Sequence, residues 1–355
     1  MGSLRIAIVG CGAIAEKHVA SIAELGREAS VVALCDLSAE RLERFASPGG
    51  KQRFPGSKLY TDVGELLRDS DAELVVVATS SDSHAALSVR ALRAGKHVLV
   101  EKPLALSLEE AAEAVDEAKR RGLTLAVSFQ ARYMPQMAAL KEAVEEGRFG
   151  KIGHGTVSLR WNRNMGYYKG GPWREDWSKG GGLFMNQCIH YVDLLLWLMG
   201  PVASVYALGA AVAQPIGVEN VGAALLKFEN GAIGMIEAST NVYPQTLGTS
   251  IGLFGASGTA LIEGPALGTV GDWRFEERGG GPESQRPETA PISHTPLYRD
   301  LIRSIRSGEE PLVSAAGSLA AIETVLAIYR SISSGAVVEL PDRQFFHMGK
   351  MSWMG

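Results

Sequence analysis

Over its first 128 residues the chain alternates short β-rich apolar runs with helical stretches, and this alternation constrains the fold more than any other feature. The runs are "LRIAIVG", "SVVALCD", "AELVVVAT", "GKHVLVE" and "LTLAVSF", the last ending near Ser128. Helical patterns such as 13–25 and 83–94 stand between them. A helix between two strands is a crossover, and crossovers join parallel strands. Beyond 128 the pattern changes. One helix over 134–147 is followed by strands at about 152–162, a helix after three glycines, and strands spread over about 202–276. Two helices come late, at about 295–307 and 315–333. Strand runs with few crossover helices predict a mainly antiparallel sheet. A chain of 355 residues is long for one core. The expected class is α/β in two domains, 1–128 with a parallel sheet and 129–355 with an open, mainly antiparallel one. The Gly-, Pro- and Ser-rich segment 277–296 is expected to be the least ordered.

The first strand runs into "GCGAIA", which supplies Gly10, Gly12 and Ala15. In a G-x-G-x-x-A turn the first glycine makes the bend and the second lets backbone approach a pyrophosphate. The alanine lets helix pack on strand, and the helix N-terminus favours the negative charge. The position, after a strand and before a helix at the start of a βαβ unit, marks a dinucleotide-binding Rossmann domain. The second strand ends at Asp36. A carboxylate there accepts hydrogen bonds from an adenosine ribose and repels a 2′-phosphate. Leu37 and Ser38 follow with no immediate arginine, so NAD is expected rather than NADP.

Two further constellations carry chemistry. Glu101-Lys102-Pro103 ends a predicted strand of the same sheet, and the carboxyl ends of parallel strands face the ligand crevice. A lysine there can hydrogen-bond a substrate hydroxyl and stabilise an alkoxide. The second is "GGGLFMNQCIHYVDLLLWLMG", residues 180–200. It reads as a helix apolar nearly all round, hence buried. Asn186, His190 and Asp193 nevertheless stand four and three apart, on one face of an α-helix. An unpartnered buried polar group costs roughly 1–3 kcal/mol, so a polar stripe there needs a purpose.

Composition excludes several classes. Net charge is −4, without the basic excess of a nucleic-acid binder. Every apolar run is interrupted short of the ~20 residues of a membrane span. The chain is expected to enter a strand at Leu4 and to carry no signal peptide. Cys11, Cys35 and Cys188 fit no zinc spacing and suggest a reducing compartment. A cytoplasmic protein with neither metal nor disulfide is expected.

The order G-C-G-x-x-A, E-K-P, then G-G-G-(x)7-H-x-x-D resembles the Gfo/Idh/MocA family of sugar and cyclitol oxidoreductases. The likeness spans nearly the whole chain, including "ALRAGKHVLVEKPLA" and "FQARYMP". It implies a Rossmann domain followed by an α/β domain with an open, mainly antiparallel sheet, and often a cis Lys102–Pro103 bond. It also implies NAD contacts from Gly10, Gly12, Ala13, Ile14, Asp36, Thr79, Ser80, His84, Glu101 and Lys102. The catalytic set carried over is Lys102, His190 and Asn186. A neutral imidazole suits removal of a hydroxyl proton, so His190 is the base and Lys102 shares the hydroxyl. Many relatives have Asp where this chain has Asn186, which cannot titrate and is assigned to orientation. Asp193 is read as an anchor of the helix to the sheet, and Cys188 as packing. Self-association through the second sheet, as homodimer or homotetramer, is implied as well.

Substrate signals lie before the helix. "YYKGGPWREDW" and "GGLFMNQCIH" most resemble the branch that oxidises C3 of UDP-linked N-acetylhexosaminuronates. Arg160, Arg163, Lys169, Arg174 and Lys179 against Glu175 and Asp176 leave an excess of +3, which suits an anionic sugar. Tyr167, Tyr168, Trp173 and Trp177 can stack on sugar rings. The substrate-contact set is Arg132, Arg160, Tyr168, Trp173, Arg174 and Asn186. Cyclitol and aminoglycoside-type dehydrogenases, NAD-dependent glycosidases working through a 3-keto sugar, and non-catalytic NAD-binding regulators remain as alternatives.

Overall fold

The computed structural model describes residues 2–51, 53–212, 214–276 and 286–341. The chain forms two compact units. The first comprises Met1–Ala105, Glu109–Gln130 and Ser293–Ser318. The second comprises Leu106–Leu108, Ala131–Ile292 and Leu319–Gly355. The division expected at 128/129 falls beside the Gln130/Ala131 break, but a single cut does not describe the chain, because 293–318 returns to the first unit.

The first unit holds six strands: β1 Leu4–Val9, β2 Ala29–Cys35, β3 Lys58–Tyr60, β4 Leu74–Val77, β5 His97–Val100 and β6 Leu125–Val127. Their order is β3-β2-β1-β4-β5-β6, all parallel. This is the doubly wound order that reverses direction between β1 and β4, where ligands bind outside the carboxyl ends. The strands read as unbroken apolar runs because helices cover both faces of a parallel sheet; every residue of β4 is buried. The edge at β6 is protected by the returning segment, where Val127 N–H donates to Val313 O at 3.0 Å.

The second unit holds eight: β7 Ile152–Arg160, β8 Val202–Ala210, β9 Val221–Phe228, β10 Ile233–Ser239, β11 Gly248–Gly255, β12 Gly258–Glu263, β13 Thr269–Phe275 and β14 Val338–Glu339. The order is β13-β12-β11-β7-β10-β9-β8-β14, antiparallel except for β7 with β10. Burial alternates strictly along β9 and β10, so one face is core and the other open. The helix Ile189–Met199 packs against β7.

The helix Ala315–Ser334 is long and apolar enough to cross a membrane by length and composition, but most of its apolar window is buried within the fold, as in a core helix. Of the segment 277–296, residues 277–285 lie outside the described residues. The rest is not loose: Gln136 Nε2 donates to Ala290 O at 3.2 Å.

Candidate functional site

Four strand ends of the first unit bring together residues far apart in sequence: Gly10 after β1, Asp36 after β2, Thr79 and Ser80 after β4, and Glu101-Lys102 after β5. Gly10 has φ +96°, and a Cβ on it would lie 2.5 Å from the carbonyl oxygen of Ala78. Only glycine lets β1 and β4 close at this point. Gly12 is different, because a Cβ there would meet nothing within 4 Å. No packing inside the chain requires that glycine. It sits at the N-cap of α1, Ala13–Glu24, which has no side-chain cap. An open helix start facing free space fits a pyrophosphate. Ala13 is exposed and Ile14 half-buried there, while Ala15 is fully buried against the sheet.

Asp36 organises this loop. Its Oδ2 accepts from Cys11 N–H and its Oδ1 from Ser38 N–H, both at 2.9 Å. Arg41 Nη1 lies 3.8 Å from Oδ2. Asp36 is thus also a turn residue, and its ribose-binding role would use the remaining lone pairs.

Glu101 and His84 depart from the expected direct cofactor contact. The carboxylate of Glu101 is turned into the unit, and its Oε1 lies 3.0 Å from His18 Nε2 and 3.5 Å from His294 Nε2. His18 Nδ1 lies 2.9 Å from Tyr298 Oη. A carboxylate can only accept here, so His18 donates from Nε2 and accepts the Tyr298 proton at Nδ1. Burial, the largest single influence, would push the Glu101 carboxyl up; His18 and His294 together outweigh it and hold the group well below its usual range. Glu101 therefore fixes the end of β5 to α1 and to the returning segment. His84 is buried, with Nδ1 2.7 Å from Pro103 O and Nε2 3.1 Å from Thr79 O. Burial lowers its pKa, and a neutral ring has one N–H, which the shorter contact assigns to Nδ1. His84 supports the Lys102–Pro103 turn from beneath. That peptide is cis, as the resemblance implies, and Lys102 is half-buried.

In the second unit the glycine-led segment is not one α-helix. Phe184–Cys188 is π-helical and Ile189–Met199 is α-helical. A π turn holds more residues than an α turn, so the expected single stripe is broken in phase. Asn186 is buried, His190 half-exposed, and Asp193 1% exposed. Asp193 does anchor the helix, but to Arg132 rather than to the sheet. Arg132 Nε and Nη2 donate to its two oxygens at 2.8 and 2.6 Å, and the guanidinium lies over the Trp197 ring. Arg132 is thereby committed to the fold instead of to a substrate. Cys188 is fully buried and burial pushes its thiol up, which makes it inert packing; all three cysteines are free.

The loop before this segment divides. Tyr168 is core, 2% exposed, with its hydroxyl 3.1 Å from Thr240 Oγ1. Arg160 ends β7 on the open sheet face, donating to Glu237 at 2.6 and 3.0 Å. Its charge is neutralised there, so neither residue is retained as a substrate contact. Trp177 is buried against the Tyr329 ring. What remains is a stack. Arg163 lies over Trp161 and Tyr167, and Arg174 over Tyr167 and Trp173, at 4.7–5.1 Å. Among the described residues neither arginine forms an ion pair. Gln187 Nε2 donates to Tyr167 Oη at 3.1 Å and ties the stack to the π turn. Sequence singled out Trp173 and Arg174 but had no pattern by which to pair them with Trp161 and Tyr167.

Comparisons with known proteins identify the family. Residues 4–129 match the model of an oxidoreductase family with an NAD-binding Rossmann fold, and residues 137–261 match the GFO/IDH/MocA C-terminal domain. Among solved structures, the WlbA dehydrogenase from Bordetella pertussis, in complex with NADH and UDP-GlcNAcA, is 35% identical with a TM-score of 0.87, covering 96% of this chain and 99% of that one. An uncharacterised oxidoreductase of Bacillus subtilis, YrbE, is 30% identical over 273 residues, 74% of each chain. A myo-inositol 2-dehydrogenase of Thermotoga maritima is 27% identical over 96% of this chain and 99% of its own length.

Proposed function

This chain belongs to the GFO/IDH/MocA family of NAD-dependent oxidoreductases, and from that membership we propose that its substrate is a nucleotide-linked, acidic amino sugar oxidised at C3. Its reaction class is that of the family, oxidation of a CH–OH group with NAD. The observation that supports the substrate is the stack of Arg163 and Arg174 with Trp161, Tyr167 and Trp173. Two guanidiniums without carboxylate partners among the described residues attract an anion, and flat rings beside them accept sugar or base faces. The WlbA likeness points the same way, since that protein was solved with UDP-GlcNAcA.

The proposed residues divide the chemistry by type. The Gly10–Ile14 loop and Asp36 would hold NAD, with Thr79 and Ser80 at the neighbouring strand end. Bound NAD supplies the hydride acceptor. Lys102 donates a hydrogen bond to the reacting hydroxyl oxygen and lowers the energy of the alkoxide. His190 takes the hydroxyl proton, and Asn186 orients the alcohol.

The test is to incubate the protein with NAD and a panel of UDP-sugar acids, neutral UDP-sugars, inositols and amino sugars, and to follow NADH. The greatest turnover is expected with a UDP-linked hexosaminuronate. The greatest turnover with an inositol would transfer the chain to the cyclitol branch, a reading favoured by the inositol dehydrogenase relative. Release of free sugar from a glycoside without net NADH would make it a glycosidase.

The cofactor preference follows from Asp36. Calorimetric titration is expected to give tighter binding of NAD(H) than of NADP(H), with Asp36→Ala narrowing the gap because the repulsion of a 2′-phosphate is removed. A wild-type preference for NADP(H) would shift the assignment to Arg41.

Self-association is proposed on the open sheet face. Register places Tyr206, Leu225 and Met235 side by side across β8, β9 and β10, all exposed, with Leu208 and Ile233 nearby on the same face. An apolar row of this kind marks a protein interface. Light scattering is expected to give a dimer or tetramer, and Leu225→Lys is expected to lower the mass. A wild-type monomer would refute the assignment.

A further inference from the structure

The glycine turn that leads into the segment bearing Asn186 and His190 is held by two side chains from distant parts of the second unit. The first amides of a helical segment have no partners within it. Here Gly182 N–H and Met185 N–H both donate to Tyr329 Oη, at 3.0 and 2.9 Å. Phe184 N–H donates to Glu219 Oε1 at 2.9 Å. The Tyr329 hydroxyl in turn donates to the same Oε1 at 3.0 Å. With both lone pairs of Tyr329 accepting from amides, its proton has one destination, Glu219. Glu219 Oε2 is buried without a hydrogen-bond partner among the described residues. It lies 1.5 Å from where a Cβ on residue 182 would stand. Gly182 is therefore glycine so that this carboxyl can press against the turn.

Glu219 is fully buried and comes from the connection before β9. The next residue, Asn220, pins that connection by donating to Val212 O and accepting from Val212 N–H. Tyr329 lies on the helix Ala315–Ser334, backed by the Trp177 ring.

We propose that Glu219 and Tyr329 are positioning residues for the reaction, a buried clamp that sets the π turn and with it the placement of Asn186 and His190. The proposal rests on the reading of His190 and Asn186 given above. The clamp carries a pH dependence. Burial pushes the Glu219 carboxyl up to about 7, against the pull of the Phe184 amide and the Tyr329 hydroxyl. The titratable groups that face it are Tyr329, Cys188 on the π turn, and Tyr168. Burial raises all three, so they stay neutral around pH 7. Since Oε1 is taken by donors, the carboxyl proton resides on Oε2. Losing it places a full charge in the buried turn.

The sign for stability follows from proton binding. The folded state holds the Glu219 proton up to about pH 7, whereas the unfolded state releases it near its ordinary 4.5. The folded state binds more protons between these values, so this group's contribution to stability falls as pH rises through that window and stays low above it. Glu219→Gln has no such loss. Its melting temperature relative to wild type is expected to rise from about pH 4.5 to about pH 7 and then level off.

The activity test uses wild type, Glu219→Ala, Glu219→Gln, Tyr329→Phe and His190→Ala with NAD and the best sugar of the panel. Glu219→Ala and Tyr329→Phe are expected to lower single-turnover hydride transfer by roughly 10- to 100-fold, the scale of a misplaced reacting group, with NAD affinity unchanged. Glu219→Gln is expected to restore most of the rate and to change the pH profile around pH 7, where Glu219 of the wild type loses its proton. A slow His190→Ala beside wild-type rates and pH profiles for the Glu219 and Tyr329 variants would overturn the clamp alone. A His190→Ala as fast as wild type would overturn the reading beneath it and this role together. A melting-temperature difference that stays flat with pH would overturn the titration of Glu219.

Discussion

His190→Ala is expected to lower the rate of hydride transfer by roughly 10²–10⁴-fold, the usual effect of removing a positioned general base. A secondary alcohol cannot give up hydride from carbon unless its hydroxyl proton also leaves, and an imidazole accepts that proton at neutral pH. Among the polar residues of this segment His190 is the half-exposed one, while Asn186 and Asp193 are buried. Asn186 cannot accept the proton in its place, because an amide does not titrate. Lys102→Ala is expected to act on the same step in the same direction, by removing the donor to the developing alkoxide. His190→Ala should bind NAD nearly as wild type, because His190 is not among the expected NAD contacts, whereas Lys102 is one of them. Single-turnover NADH formation and calorimetric NAD titration separate the two quantities. Wild-type single-turnover rates in both variants would move the catalytic assignment elsewhere.

Asp193→Ala is expected to destabilise the fold by about 3–5 kcal/mol, the range for removing one partner of a buried ion pair. The loss is large because of what stays behind. Arg132 would keep a guanidinium whose side chain is 10% exposed, placed over the Trp197 ring and deprived of its two-point carboxylate. Replacing both residues by apolar ones of similar volume is expected to be far milder, because neither charge then needs a partner. Denaturant titration of Asp193→Ala and of Arg132→Met combined with Asp193→Leu measures the contrast. Equal losses in both would mean that packing, and not charge, dominates at this position. A loss under about 1 kcal/mol in the single variant would place the pair in the class of exposed ion pairs.

The sequence by itself determined the parts of this protein that depend on local period and local backbone geometry. Strand–helix alternation specified the parallel sheet, since each crossover forces the next strand to run the same way. Gly10 was legible because a tight turn from strand to helix needs a residue tolerant of positive φ, and Asp36 and Lys102 were singled out because they follow strands of a parallel sheet, and ligands of such sheets bind outside the carboxyl ends. The likeness to known oxidoreductases singled out His190, the proposed base, on its helix. Only the tertiary structure decided which polar side chains face inward and what they hold. Glu101 reads like a ligand contact until His18, 83 positions earlier, is seen beneath it. Arg132 reads like an anion site until the chain brings Asp193 to it across 61 positions. Tyr168 and Tyr167 are adjacent, but one is core and the other is stacked between arginines. The π turn and its clamp left no trace in the periodicity, because Glu219 and Tyr329 stand 35 and 144 positions from the amides they hold. Hydrophobic pattern records how much of an element is buried. It does not record the partner of a buried polar group, which is settled only when the distant segment arrives and satisfies it.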